Sequence, residues 1–134
     1  MNETLATWHE IVASRDTHAL GEILAEDCVF YSPVVHSPQR GKDLTLLYLT
    51  GAMHVLGDNF RYVKEVAGEH HAVLEFVCEV DGLEVNGVDI MTFDADGRIA
   101  EFKVMLRPLK AINAVHARMR ELLEQLSARE QPGL

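Results

Sequence analysis

The chain has 134 residues, 48% of them hydrophobic, which suits one folded domain with a real core and excludes a disordered chain. Twelve Lys and Arg against 21 Asp and Glu leave a formal charge of -9, the wrong sign for a nucleic-acid footprint or for docking on anionic membranes. No apolar run approaches the ~20 residues that span a bilayer, and MNETLATWHEIV has no basic segment followed by an apolar one, so no signal peptide and a cytoplasmic location are expected.

Leu5, Trp8, Ile11 and Val12 recur at the spacing of one helix face. Asp16 is an N-cap candidate for a second, short helix that turns Leu20, Ile23 and Leu24 inward. CVFYS (28–32) reads as a short strand stopped by Pro33, and PVVHSPQRG (33–41) as a loop. A third helix is expected from Lys42 to Leu56, with Leu44, Leu47, Tyr48, Gly51 and Val55 inward and Gly57-Asp58-Asn59 as its stop.

The remainder reads as strands, then one more helix. FRYVKEVA (60–67) alternates, and HAVLEFVCEV (71–80) puts Ala72, Leu74, Phe76, Cys78 and Val80 on one face. Asp81-Gly82 and Asp96-Gly97 are hairpin signals, so the strands around them form an antiparallel meander, closing with about 98–106. Pro108 opens a final helix whose apolar stripe runs from Leu109 to Leu126. Residues 1–128 make a single domain and 129–134, ending QPGL, a flexible tail. Cys28 and Cys78, both in apolar strands, are expected as buried free thiols. Helices early, a meander late and a closing helix define an α+β domain. A strongly curved antiparallel sheet wrapped on N-terminal helices leaves a hollow suited to a small ligand.

Asp89 is the residue whose position most needs explaining. In VNGVDIMTFDADGRI (85–99) it shares a strand face with Val85, Gly87, Met91 and Phe93. A carboxylate there is costly to bury unless paired, hydrogen-bonded or protonated, and acids kept at such cost often belong to sites. The plainer reading is an Asp that accepts structural hydrogen bonds.

This order of elements, with DCVFYSPVVHSPQRG (27–41) and VDIMTFDADGRI (88–99), resembles the nuclear transport factor 2-like superfamily, in its SnoaL-like and ketosteroid-isomerase-like branches. The resemblance implies a cone-like α+β fold, open at one end and often dimeric through the outer face of the sheet. Ketosteroid isomerases use a base Asp just before a Pro on the first strand, a Tyr on the first helix and a protonated Asp on a later strand. Carried onto this chain, the later acid falls on Asp89, the base position on Ser32, and the helix Tyr near Trp8. Ser32 needs a neighbour to deprotonate it, and Trp8 can only donate. An epoxide-hydrolase relative carries an acid near the middle of the last strand, where this chain has the inward Val104.

His36, in the loop that rims the cone's mouth in that superfamily, could form an acid/base pair with Asp89, while a solvent-exposed loop His is the plainer reading. The other histidines carry no H-E-x-x-H or comparable spacing, so neither a metal site nor a cofactor is expected. His9, His18 and His116 read as helix surface. Three functions remain open. The first is a binding module for a small apolar molecule, lined by Trp8, Phe30, Tyr48, Leu74, Phe76, Met91, Phe102, Val104 and Leu106 with Asp89 as polar anchor. The second is an isomerase, cyclase or dehydratase using Asp89, with His36 and Ser32. The third is a protein-interaction module without a small ligand. A homodimer through the outer sheet face is expected, with no nucleic acid and no membrane as partners.

Overall fold

A computed structural model describes residues 2–130, with side chains to Gln125; most of the expected tail, 129–134, lies outside them. Helix α1 (Glu3–Ser14) starts where Asn2 accepts the Leu5 amide and ends in a left-handed Arg15, whose amide caps Ile11. Its inward face is Leu5, Trp8 and Ile11, as the spacing predicts. The expected second helix is a 3-10 turn (Thr17–Ala19) running into α2 (Leu20–Ile23). Leu24, assigned to that helix from its periodicity, instead begins strand β1 (Leu24–Tyr31). The early start goes with a register shift between Leu24 and Val29, an irregularity that an apolar-period reading cannot detect.

Within the expected loop a two-residue strand, β2 (Gln39–Arg40), pairs with β1, and α3 (Lys42–Val55) follows. Strands β3 (Asp58–Ala67), β4 (His71–Val80), β5 (Leu83–Phe93) and β6 (Ile99–Arg107) form the antiparallel meander. The single sheet has order β2-β1-β6-β5-β4-β3, with β1 parallel to β6, and curls without closing. Two residues join β4 to β5, Asp81 at φ 52° and Gly82 at φ 78°, the left-handed pair that a tight hairpin demands.

Burial along β5 alternates throughout, so one face packs inward and the other outward. At Gly87 a side chain has no room: a Cβ would lie 2.5 Å from Phe76 Cζ and 2.8 Å from the Met105 carbonyl oxygen. The missing Cβ leaves room for the tip of the Phe76 ring over Gly87, and the same ring lies flat against Phe60, centroids 4.9 Å apart.

The last helix, α4 (Leu109–Glu130), buries Ala111 and Val115, and Met119 and Leu122 approach Gly51 of α3. Arg118 holds both oxygens of Asp81 at the β4–β5 turn. Helix α4 thus packs on the inner side of the sheet, leaving Val73 and Met105 exposed on the outer face. Across that outer face Lys64, Glu75, Asn86 and Arg107 form a polar ladder through β3, β4, β5 and β6. Such surface pairs contribute only about 0–1 kcal/mol each. Cys28 and Cys78 are buried free thiols, and burial pushes the Cys78 thiol up to about 11.

Candidate functional site

A cavity of about 370 Å³ opens between α1, the end of α3 and the inner face of the sheet. Its wall includes Trp8, His9, Met53, Phe60, Tyr62, Asp89, Phe102 and Val104, and its rim Arg15 and Arg61. Arg15 donates to the carbonyl oxygens of Met53 and Gly57, so the two helix ends are tied together at the mouth.

Three polar groups run in a line through this wall. The Trp8 indole N–H donates to the Tyr62 hydroxyl at 2.9 Å, and that hydroxyl donates to Asp89 Oδ2 at 2.5 Å. Each comes from a different element: Trp8 from the inward stripe of α1, Tyr62 from β3, Asp89 from β5, where its register partners are Leu74 and Val104. Asp89 is 5% exposed. Desolvation raises its pKa from the ordinary 3.8 to about 7, and the hydrogen bond from Tyr62 opposes that rise. Burial, then the charge of Asp89, pushes the Tyr62 phenol far above its ordinary value. Tyr62 therefore remains a donor, and Asp89 keeps its proton up to near pH 7, where the neutral form with a proton to offer a ligand oxygen is still about half populated.

Histidine 9 follows Trp8 on α1 and faces the same cavity. Its Nε2 lies 2.5 Å from Glu65 Oε1, and its ring meets Tyr62 edge-on at 5.5 Å between centroids. His9 lies on the helix surface as expected, its side chain 39% exposed, and the curl of β3 brings Tyr62 and Glu65 alongside it, so that it also faces the cavity.

A second cavity, also about 370 Å³, lies on the other side of Ala52, Leu56 and Val104, residues common to both. It is lined by Phe30, Ser32, Tyr48, Leu106, Val115 and Met119, with His116, Arg120 and Glu124 among its polar residues.

The residues singled out from the sequence divide among these places. Trp8, Phe102 and Asp89 meet in the first cavity, Val104 faces both, and Phe30, Tyr48, Leu106 and Ser32 line the second. Leu74, Phe76 and Met91 line neither: they are fully buried, because the tightly curled end of the sheet is filled by its own side chains. Alternation tells which face a residue takes, and closure of the sheet decides whether that face meets space or other side chains. Ser32 Oγ accepts the amides of Val34 and Val35 at 3.1 and 3.2 Å, a turn-forming role. His36 is exposed and lines neither cavity, so the expected His36–Asp89 pair is not formed. The reason is local: after Pro33 the chain is held in that serine turn and leads outward to β2. Among the described residues no three His, Cys, Asp or Glu side chains converge as a metal site.

Among the residues of the first cavity missed from the sequence, Tyr62 and His9 bear most on its chemistry. Tyr62 had a signal, since it alternates with Phe60 on FRYVKEVA. For His9 there was none, because its partner Glu65 is 56 residues away.

Residues 5–102 match the SnoaL-like domain, and the chain belongs to that family, within the nuclear transport factor 2-like superfamily. It is 37% identical to a steroid delta-isomerase from Pseudomonas aeruginosa, over 94% of this chain and 93% of that one, with a TM-score of 0.89. A cystatin-like-fold protein of Silicibacter pomeroyi is 31% identical over 97% and 94% of the two chains, TM-score 0.86. The epoxide hydrolase/cyclase-like enzyme SalBIII, of pyran-ring formation in salinomycin, shares the fold at 19% identity, 78% and 88% coverage and TM-score 0.64. No curated protein matches the chain.

Proposed function

We propose that the chain binds a small, largely apolar molecule bearing a carbonyl or phenolic oxygen, in the cavity walled by Trp8, Tyr62 and Asp89. The observation that carries this reading is the Trp8–Tyr62–Asp89 line, with Asp89 buried, ending at a mostly apolar cavity. A neutral carboxyl in a water-poor wall is a strong donor to one ligand oxygen, and the aromatic wall supplies affinity for the rest. Trp8 is the sole tryptophan of the chain, so its fluorescence reports on this cavity directly. Titration with 2-naphthol is expected to change Trp8 emission saturably. Asp89→Leu, which removes the donor, should weaken the affinity about tenfold, the worth of a hydrogen bond to a polar group in such a site. No saturable change with 2-naphthol would overturn the reading.

A second reading, an isomerase-, cyclase- or dehydratase-type enzyme, is favoured by that same neutral carboxyl, which could hold an enolate oxygen as it forms. The 37%-identical P. aeruginosa relative, called a steroid delta-isomerase, adds to it. A module that acts only through protein contacts would not need a buried acid facing a cavity, and is the weakest of the three.

The same proposal includes a twofold homodimer through the outer sheet face. Val73 and Met105 are exposed there and Val77, Val88 and Ile90 half-buried, with α4 packed on the other side. Interleaved Glu75, Lys64 and Arg107 can pair across a twofold axis. Light scattering should give twice the chain mass of 15.0 kDa, and Met105→Glu should return it to a monomer. A monomer throughout the micromolar range would refute the dimer.

A further inference from the structure

We propose that His9, oriented by Glu65, is the proton acceptor of the first cavity and makes it a site of proton transfer at the carbon beside a ketone. The inference rests on the ligand reading above and adds a chemical step to it. His9 and Asp89 face one cavity from opposite elements, α1 and β5, with Tyr62 between them: its hydroxyl bonds to Asp89 and its ring lies against the His9 ring. A ketone whose oxygen takes a hydrogen bond from Asp89 shares this cavity with the His9 ring.

The pairing with Glu65 decides which ring nitrogen can act. A carboxylate accepts, so Nε2 carries the proton in the His9–Glu65 bond, and the lone pair is left on Nδ1. That is the arrangement in which a carboxylate holds one imidazole tautomer for a base, with Glu65 as a positioning residue. His9 and Glu65 are 39% and 40% exposed, so a proton taken up by the ring can also exchange with water.

In the step itself, a C–H bond next to the carbonyl breaks. The proton goes to His9 Nδ1, and the electron pair forms the carbon–carbon double bond of an enolate whose oxygen is held by Asp89. The imidazolium returns its proton to the same carbon, or to the far end of a conjugated enolate. The first outcome is exchange, the second a double-bond shift. Neither consumes an oxidant or a second reactant. Ser32, bound to its own turn and facing the other cavity, takes no part.

The test uses the full chain with 2-tetralone in D₂O, following loss of its α-proton signals by NMR, beside 2-naphthol binding read from Trp8. The expected result is saturable acceleration of exchange over buffer. His9→Gln should lower kcat by about 10²-fold or more, with 2-naphthol affinity within about twofold of wild type, as expected for a residue that acts on the carbon and not on the oxygen. Glu65→Gln should lower kcat and leave KM nearly unchanged, with partial recovery in Glu65→Asp. If 2-naphthol binds but exchange is not accelerated, or if His9→Gln exchanges as fast as wild type, the proton-transfer role is overturned and the binding reading stands. If 2-naphthol does not bind, both fall together.

Discussion

Asp89→Asn is expected to remove most of a pH dependence of stability that the wild-type chain carries between pH 4 and pH 8. In the folded protein Asp89 holds its proton up to about pH 7, whereas an unfolded Asp releases it near 3.8. Between those values the folded state binds more protons than the unfolded one, so stability falls as pH rises. The contribution of neutral Asp89 is fully present below 3.8, declines through the window and is gone above about 7. Three or so pKa units at 1.36 kcal/mol each amount to about 4 kcal/mol, an upper figure for a group this buried. An amide at position 89 does not titrate, and it can still accept the Tyr62 hydroxyl. Urea unfolding at a series of pH values should therefore give wild-type and Asp89→Asn curves that diverge steadily from pH 4 to pH 7 and run parallel above. Curves parallel over the whole range would mean that Asp89 is already ionised in the folded protein above about pH 4, and would remove the donor on which the ligand reading depends.

Phe76→Ala is expected to cost about 3–5 kcal/mol, the range for truncating a buried aromatic residue. Phe76 is fully buried, stacks on Phe60 and meets Tyr62 at 6.3 Å between centroids. The void cannot close easily, because the strands on either side are held in register by β4–β5 pairing and Gly87 offers no side chain to fill it. For a domain whose total stability lies in the usual range of about 5–15 kcal/mol, such a loss is a large fraction. The effect should reach the cavity too, since Phe60 and Tyr62 lose the ring that backs them, and 2-naphthol affinity should fall even where the variant remains folded. A loss below about 1.5 kcal/mol in urea unfolding would show that the core around Phe76 repacks.

The order of the helices and of every strand except β2, the inward stripe of α1, both hairpin turns and the inward face of Asp89 were legible in the sequence. All of these are local. They depend on side-chain period, on turn chemistry such as Asp81-Gly82, and on the solvation cost of one carboxyl amid apolar neighbours. Tyr62 lay within reach of the same reasoning, as the residue two along from Phe60.

Tertiary structure alone decided who meets whom. The curl of the sheet brought Tyr62 to Asp89 across 27 residues and Glu65 to His9 across 56, and no spacing in the chain encodes either pair. It also filled one part of the inner face with Leu74, Phe76 and Met91 while leaving the stretch by Trp8 and Phe102 open, although every one of those residues has the same apolar inward character. Hydrophobic burial is non-directional and sets only the side of the sheet on which a residue lies. Whether it ends in contact or beside a cavity is set by strand curvature, by the space left at Gly87 and by the way α3 and α4 close over the sheet. The serine turn after Pro33 acted in the same way on His36, leading it into solvent away from the acid it was expected to join.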